Sequence, residues 1–182
     1  FNTVYADRDG NIYFLYNGAV ARKDPSFDWE KPVDGANLKT EWLGMHPLDE
    51  LPQSLNPISG YLQSCNSTPF TATDDGAPSA KDFPIYMVED ANDDMRRAKM
   101  SRHLLRNAHD ITFEDWQKLA YDTTLYWPMT ELPRYAKLFE ELKKSNPDLA
   151  SRVAPYFEHL LDWDYTSTAS STQTTLCVEW YE

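Results

Sequence analysis

Apolar positions alternate in short runs through the first half of this chain and take helical spacing in the second. Val4-Tyr5-Ala6-Asp7 and Ile12-Tyr13-Phe14-Leu15-Tyr16 are β-rich runs, and Arg8-Asp9-Gly10-Asn11 between them supplies turn chemistry. Residues 2–20 are therefore predicted to form a hairpin. The second run is apolar at both odd and even positions, as expected of a strand covered on both faces. Residues 21–56 are rich in proline and poor in periodic apolar positions. They read as a long ordered excursion anchored by Phe27, Trp29, Trp42 and Leu43, and a stretch of that length often walls a binding site. Pro57 and Gly60 mark a turn, after which 58–66 is predicted to be a strand ending on the polar tip Asn66-Ser67-Thr68-Pro69. Residues 71–84, rich in Asp, Gly, Pro and Ala, read as a loop.

From about Val88 the pattern turns helical. Asp90, Asn92 and Asp93 are candidate caps for a helix whose apolar face is Met95, Ala98, Met100, His103, Leu104 and Leu105. Thr112-Phe113-Glu114-Asp115 resembles a capping box for a helix running through Leu119 and Tyr121. Pro133 suits the first turn of a helix through Leu138 and Leu142, closed by Lys143-Lys144 and Asn146. Pro147-Asp148 opens another, to about Leu161, and the Thr-rich tail spaces Leu176, Cys177 and Trp180 along one helical face. The fold class is α+β: antiparallel strands and loops over 1–70, then a mostly helical part over 88–182.

Composition narrows the possible functions. The chain has 182 residues, enough for one domain with its own core, and holds 6 Trp, 11 Tyr and 8 Phe against 6 Gly. A formal charge of −12 argues against nucleic acid, whose phosphates need a basic surface. No run of 18 apolar residues occurs, so no membrane-spanning helix is expected. Two cysteines, Cys65 and Cys177, do not make a disulfide framework, and whether they pair is open. CxxC, HExxH and Gly-x-Ser-x-Gly motifs are absent. The acidic run Glu89–Asp94 lacks the alternation and glycine of an EF-hand loop, and is better explained as the favourably charged start of a helix. His103 and His109 are six apart, which does not place them on one helical face for a metal.

Two residues stand out. Asn66 offers a neutral amide at the end of a punctuated segment, able to donate to a developing oxyanion without a change of charge. The alternative is an asparagine that satisfies its own backbone in a turn. Arg97 lies among Arg96, Lys99 and Arg102, and on local grounds reads equally as a solvated or ion-paired surface cation.

Over most of its length the chain resembles the β-subunit of the penicillin acylase family of N-terminal-nucleophile amidohydrolases. The resemblance rests on Tyr5-Ala6-Asp7-Arg8-Asp9-Gly10-Asn11-Ile12, Pro32-Val33-Asp34-Gly35, Glu41-Trp42-Leu43-Gly44, Leu51-Pro52, Asn56-Pro57 with Gly60-Tyr61, and Asn66 with Pro69, in this order. Arg97-Ala98 with Leu104-Leu105, Thr112-Phe113-Glu114-Asp115 and Leu160-Leu161-Asp162-Trp163-Asp164 continue it. Gln63 to Phe70 is similar to acylases acting on aliphatic acyl amides.

The resemblance implies strands belonging to a larger αββα sandwich, with Asn66 in the oxyanion hole and Arg97 orienting it near the nucleophile. It further implies that a Ser, Thr or Cys at the start of the β-subunit attacks the amide of a small acyl-amide substrate, of acyl-homoserine lactone or β-lactam type. Phe1 offers an amine but no hydroxyl or thiol, so the chain is expected to be an internal fragment, inactive alone. Its partners would be the remainder of the same acylase, namely the α-subunit and the β-subunit segment with the nucleophile. No cofactor is implied for catalysis. Asp82, and less directly Asp28-Trp29, match positions of a structural calcium site in some members. Periplasmic or secreted placement is implied as well. The rival from another class is a non-catalytic acidic binding domain whose aromatics over 21–56 line a recognition surface. A calcium-stabilised structural domain is a third.

Overall fold

The computed structural model describes residues 2–16, 18–88 and 94–181, and the chain divides into two compact units, 1–108 and 109–182. Its mixture of helices with a small antiparallel sheet is α+β.

The first unit begins with the expected hairpin, β1 (Thr3–Ala6) against β2 (Ile12–Leu15), in the register Thr3↔Leu15 to Ala6↔Ile12. Asp7 closes its turn. The carboxylate accepts from the backbone N–H of Asp9 and Asn11 and from the Asn11 amide, each at 2.9 Å, while Gly10 takes a φ of +87° that side chains disfavour. A third strand, β3 (Gln53–Leu55), pairs on the other side of β2 and makes it central. Phe14 and Leu15, which point to opposite faces, are both buried, as the two-sided apolar run requires.

The third strand is not the one the pattern suggests. Residues 58–66 contain no strand. Gly60 N–H returns to the Pro57 carbonyl at 3.0 Å, and Gln63 N–H goes to Ala72 O at 2.9 Å instead of to a neighbouring strand. The partner of β2 lies earlier, where Tyr16 N–H donates to Pro52 O and Asn56 ends the ladder. Asn56 sits at φ +48°, accepting from Ile12 N–H at 2.8 Å and donating to Asn11 Oδ1. Side-chain bonds to backbone have displaced ladder bonds here.

The excursion is closed at its base by pairing of Val20–Arg22 with Leu43–His46, through an Ala21↔Met45 bridge. Its anchors differ in part from expectation. Phe27 and Trp29 are half-buried with ring centroids 5.8 Å apart, whereas Trp42 is 65% exposed and Leu43 63%. Buried His46 is the inner tie, bonded to Glu50 at 2.7 Å and Tyr86 at 3.1 Å. Leu15, Val20, Leu51 and Met87 form the apolar core, with Tyr13 and Phe83 against it.

Helix α1 (Arg96–Arg106) completes this unit. The candidate caps Asp90, Asn92 and Asp93 lie outside the described residues. The buried face is also not the purely apolar one. Ala98 and Arg102 are its buried residues, and Arg106 follows one turn later on the same side. Arg106 forks onto Asp74, with both oxygens at 2.5 Å. That bond holds the Asp74 carboxyl down at about 2, while burial and the neighbouring Asp74 push the Tyr61 phenol up to about 12.

The second unit holds four helices among its described residues. Thr112 caps α2 (Phe113–Ala120) by accepting from Asp115 N–H at 3.1 Å. The next helix, α3 (Tyr126–Ser145), starts earlier than predicted, with Pro133 inside it. Its start is set by a Thr124↔Thr166 bridge and by Leu125 N–H on Tyr165 O, which bring the chain into place before the proline is reached. Packing of fully buried Leu132 then outweighs the loss of one N–H donor. Asn146 caps α4 (Pro147–Leu161) through Leu149 N–H, with Pro147 at the first position, and α5 (Thr172–Tyr181) closes the unit. Leu132, Leu160, Trp163 and Cys177 form its core, and the Trp163 indole donates to Thr166 O at 3.1 Å. Neither Cys65 nor Cys177 is in a disulfide.

Leu132→Ala should lower stability by about 2–5 kcal/mol in equilibrium urea unfolding, the cost of a cavity at a fully buried leucine. Because the folded pKa of Asp74 lies below its ordinary value of 3.8, its stabilising contribution is present above that value and is lost as pH falls through about 2. The melting-temperature gap between wild type and Asp74→Asn should accordingly be widest near neutrality and close as pH falls from about 4 to 2.

Candidate active-site loop

Asn66 is presented by a loop and not by a strand end. Its backbone is left-handed, at φ +58°, a conformation asparagine tolerates better than other side chains except glycine. Asn66 itself is exposed, while Ser67, Thr68 and Pro69 directly after it are buried. Among the described residues its carboxamide has no hydrogen-bond partner, so its donors are available to a ligand. No bond joins the Asn66 side chain to its own turn backbone among the described residues, whereas the Asn56 side chain is engaged across the sheet by Ile12 N–H and Asn11 Oδ1.

The stiffness of the loop comes from buried polar groups beneath it. Gln63 Nε2 donates to Thr71 O at 3.1 Å, and Gln63 Oε1 accepts from Cys65 N–H at 3.1 Å. From the other side, Arg102 Nη1 donates to the same Thr71 carbonyl at 3.1 Å, and its fork grips Asp94 at 2.8 and 2.7 Å. The Thr71 hydroxyl donates to Asp94 at 3.2 Å. Burial works against the Asp94 charge, but Arg102 and the Thr71 hydroxyl outweigh it and hold its carboxyl below the usual range. At the outer edge, Asn2 donates to Ser64 Oγ at 2.9 Å.

Arg97 is exposed on α1, and its guanidinium lies 3.3 Å from the Met95 sulfur. No hydrogen bond joins it to Asn66 among the described residues. Arg102 and Gln63, the residues that shape the loop, were not singled out by sequence reasoning. A signal for Arg102 exists in the spacing Ala98–Arg102–Arg106, which puts two arginines on the face of the small buried alanine.

Asp82 ends a single exposed turn, and Asp28 is engaged by Lys31 at 2.6 Å. Among the described residues, no three His, Cys, Asp or Glu side chains gather as a metal site. The imidazole–hydroxyl contact between His159 and Thr172, 2.8 Å, ties the end of α4 to the start of α5 at an exposed position. In the second unit an apolar cavity of about 540 Å³ lies among α3, α4 and α5, lined by residues such as Phe139, Phe157 and Trp180. Its lining holds no carboxylate, imidazole, thiol or cation to do hydrolytic chemistry. No described helix is long and apolar enough to cross a membrane.

The comparisons agree with the sequence pattern. A penicillin G acylase from Escherichia coli is 37% identical over 68 residues, which is 37% of this chain and 8% of that protein. The structure of a thermostable penicillin G acylase from Alcaligenes faecalis superposes with a TM-score of 0.60 at 22% identity, covering 93% of this chain and 28% of the other. The fold is therefore similar to part of a penicillin G acylase, and the chain spans well under a third of the length of these relatives. The family model for penicillin amidase matches residues 1–182, and the chain belongs to the penicillin amidase family.

Proposed function

We propose that this chain works within a larger amidohydrolase, where it supplies the carboxamide that binds the oxyanion during cleavage of small N-acylated amides. The observation that carries the reading is Asn66 itself: exposed, left-handed and without a partner among the described residues, on a loop braced by buried polar bonds. A donor aimed at developing charge stabilises the transition state most when it need not reorganise. A neutral amide also avoids a permanent countercharge that would hold the ground-state carboxylate product.

In this reading the nucleophile, a Ser, Thr or Cys, belongs to the remainder of the acylase. Its attack converts the amide carbonyl to a tetrahedral oxyanion, which accepts a hydrogen bond from Asn66 Nδ2. Collapse expels the amine and leaves an acyl-enzyme, which water hydrolyses to the carboxylic acid. Arg97, exposed on α1, would bridge Asn66 and the surroundings of the nucleophile through its planar fork. The names of the relatives support a β-lactam amide as substrate, and acyl-homoserine lactones are the second class. Placement in the periplasm or outside the cell belongs to the same reading and rests on the family alone.

The test uses the complete acylase. Asn66→Ala removes the amide but also strains a left-handed position, whereas Asn66→Gly removes the amide and keeps the backbone at ease. Both should lower kcat by about 10²–10³-fold, the usual cost of one oxyanion donor. If the glycine variant turns over near the wild-type rate, Asn66 has no part in the chemistry, and a non-catalytic role for this region gains.

A further inference from the structure

We infer that Arg102 is a positioning residue for Asn66, acting at a distance through the carbonyl of Thr71. The inference rests on the proposed oxyanion role of Asn66 and extends it to the groups that hold the loop.

The loop is a ring closed by side chains. Gln63 N–H meets Ala72 O at 2.9 Å, and the Gln63 amide meets Thr71 O, so the two ends of the 63–72 segment are joined with Asn66 between them. The Thr71 carbonyl has two lone pairs, and both have a donor: Gln63 from inside the loop and Arg102 from α1. Cys65 N–H, one residue before Asn66, is held by the other end of the same Gln63 amide. Any rotation of the Thr71 peptide therefore disturbs Gln63, and through it the residue next to Asn66.

Energetics point the same way. Arg102 is 7% exposed, and a charge pair buried that far contributes little net stability over an apolar replacement of similar volume. What it adds is geometry. The fork grips Asp94 with both nitrogens while one of them also reaches Thr71 O, an arrangement that a lysine ammonium, with one centre, does not reproduce. Arg102 is also poorly placed to touch substrate. It lies about 140° around α1 from exposed Arg97, so the two arginines of this helix have separate duties. Arg106, one turn on, pins Asp74 three residues beyond Thr71 and continues the same seam.

The experiment compares Arg102→Lys and Gln63→Met in the complete acylase, each made alone and in the Asn66→Gly background, with turnover counted per titrated active site. The two variants loosen the same carbonyl from opposite sides. Each alone should lower kcat by about 10-fold or more, with KM changed less than about twofold, as expected when a catalytic group is displaced and binding is not. In the Asn66→Gly background neither should lower kcat further, because the group they position is gone. An equal loss in both backgrounds, wild-type kcat in both single variants, or failure of both to fold would each overturn the positioning role and leave a structural one. Wild-type turnover in Asn66→Gly alone would instead remove the reading on which the inference rests.

Discussion

The two-sided hydrogen bonding of the Thr71 carbonyl is the constraint on which the candidate site depends. A loop of this kind has no ladder to stiffen it, and each of its residues gains about 1–2 kcal/mol of backbone entropy if released. Gln63 and Arg102 remove that freedom at one atom, and Asp94 neutralises the guanidinium that does so. The outcome is an exposed asparagine above three buried residues, with a backbone conformation fixed by its surroundings. Rigidity and exposure at the same residue are what an electrostatic catalyst needs, because a donor that must reorganise loses much of its effect.

The two units are stabilised by different means. The first has a thin apolar core around Leu15, Val20, Leu51 and Met87, and depends on polar closures: Asp7 in the hairpin turn, His46 under the excursion, Arg102 and Arg106 along α1. The second is a helical unit closed on Leu132, Leu160, Trp163 and Cys177, with caps from Thr112 and Asn146. Groups proposed for chemistry lie in the first. Polar closure specifies positions sharply where an apolar core alone tolerates repacking.

Local signals were legible in the amino-acid order where one residue dictates one bond. The turn at Arg8–Asn11, the Thr112 cap, the helix end at Asn146 and Pro147 at a helix start all act within a few residues, and each is found in place. Readings failed where a distant group decided. The run 58–66 has strand composition, but Gln63 spends its bonds on Ala72 and Thr71, and the third strand falls at 53–55 instead. Pro133 looks like a helix start, but the bridge between Thr124 and Thr166 begins the helix seven residues earlier. Trp42 and Leu43 look like anchors, yet they are exposed. Asn66 could be picked out as a candidate from the sequence because turn punctuation and family pattern converge on it. Arg102 could not, since a buried arginine and a solvated one look alike until the fold supplies Asp94 and Thr71.

The most direct measurement is a crystal structure of the complete acylase bearing a tetrahedral adduct, such as a boronate on its nucleophile. The account predicts Asn66 Nδ2 within about 2.7–3.1 Å of the oxygen that mimics the oxyanion, with the Thr71 carbonyl still held from both sides. An adduct oxygen bound only by other donors, with the Asn66 carboxamide turned to solvent, would contradict it.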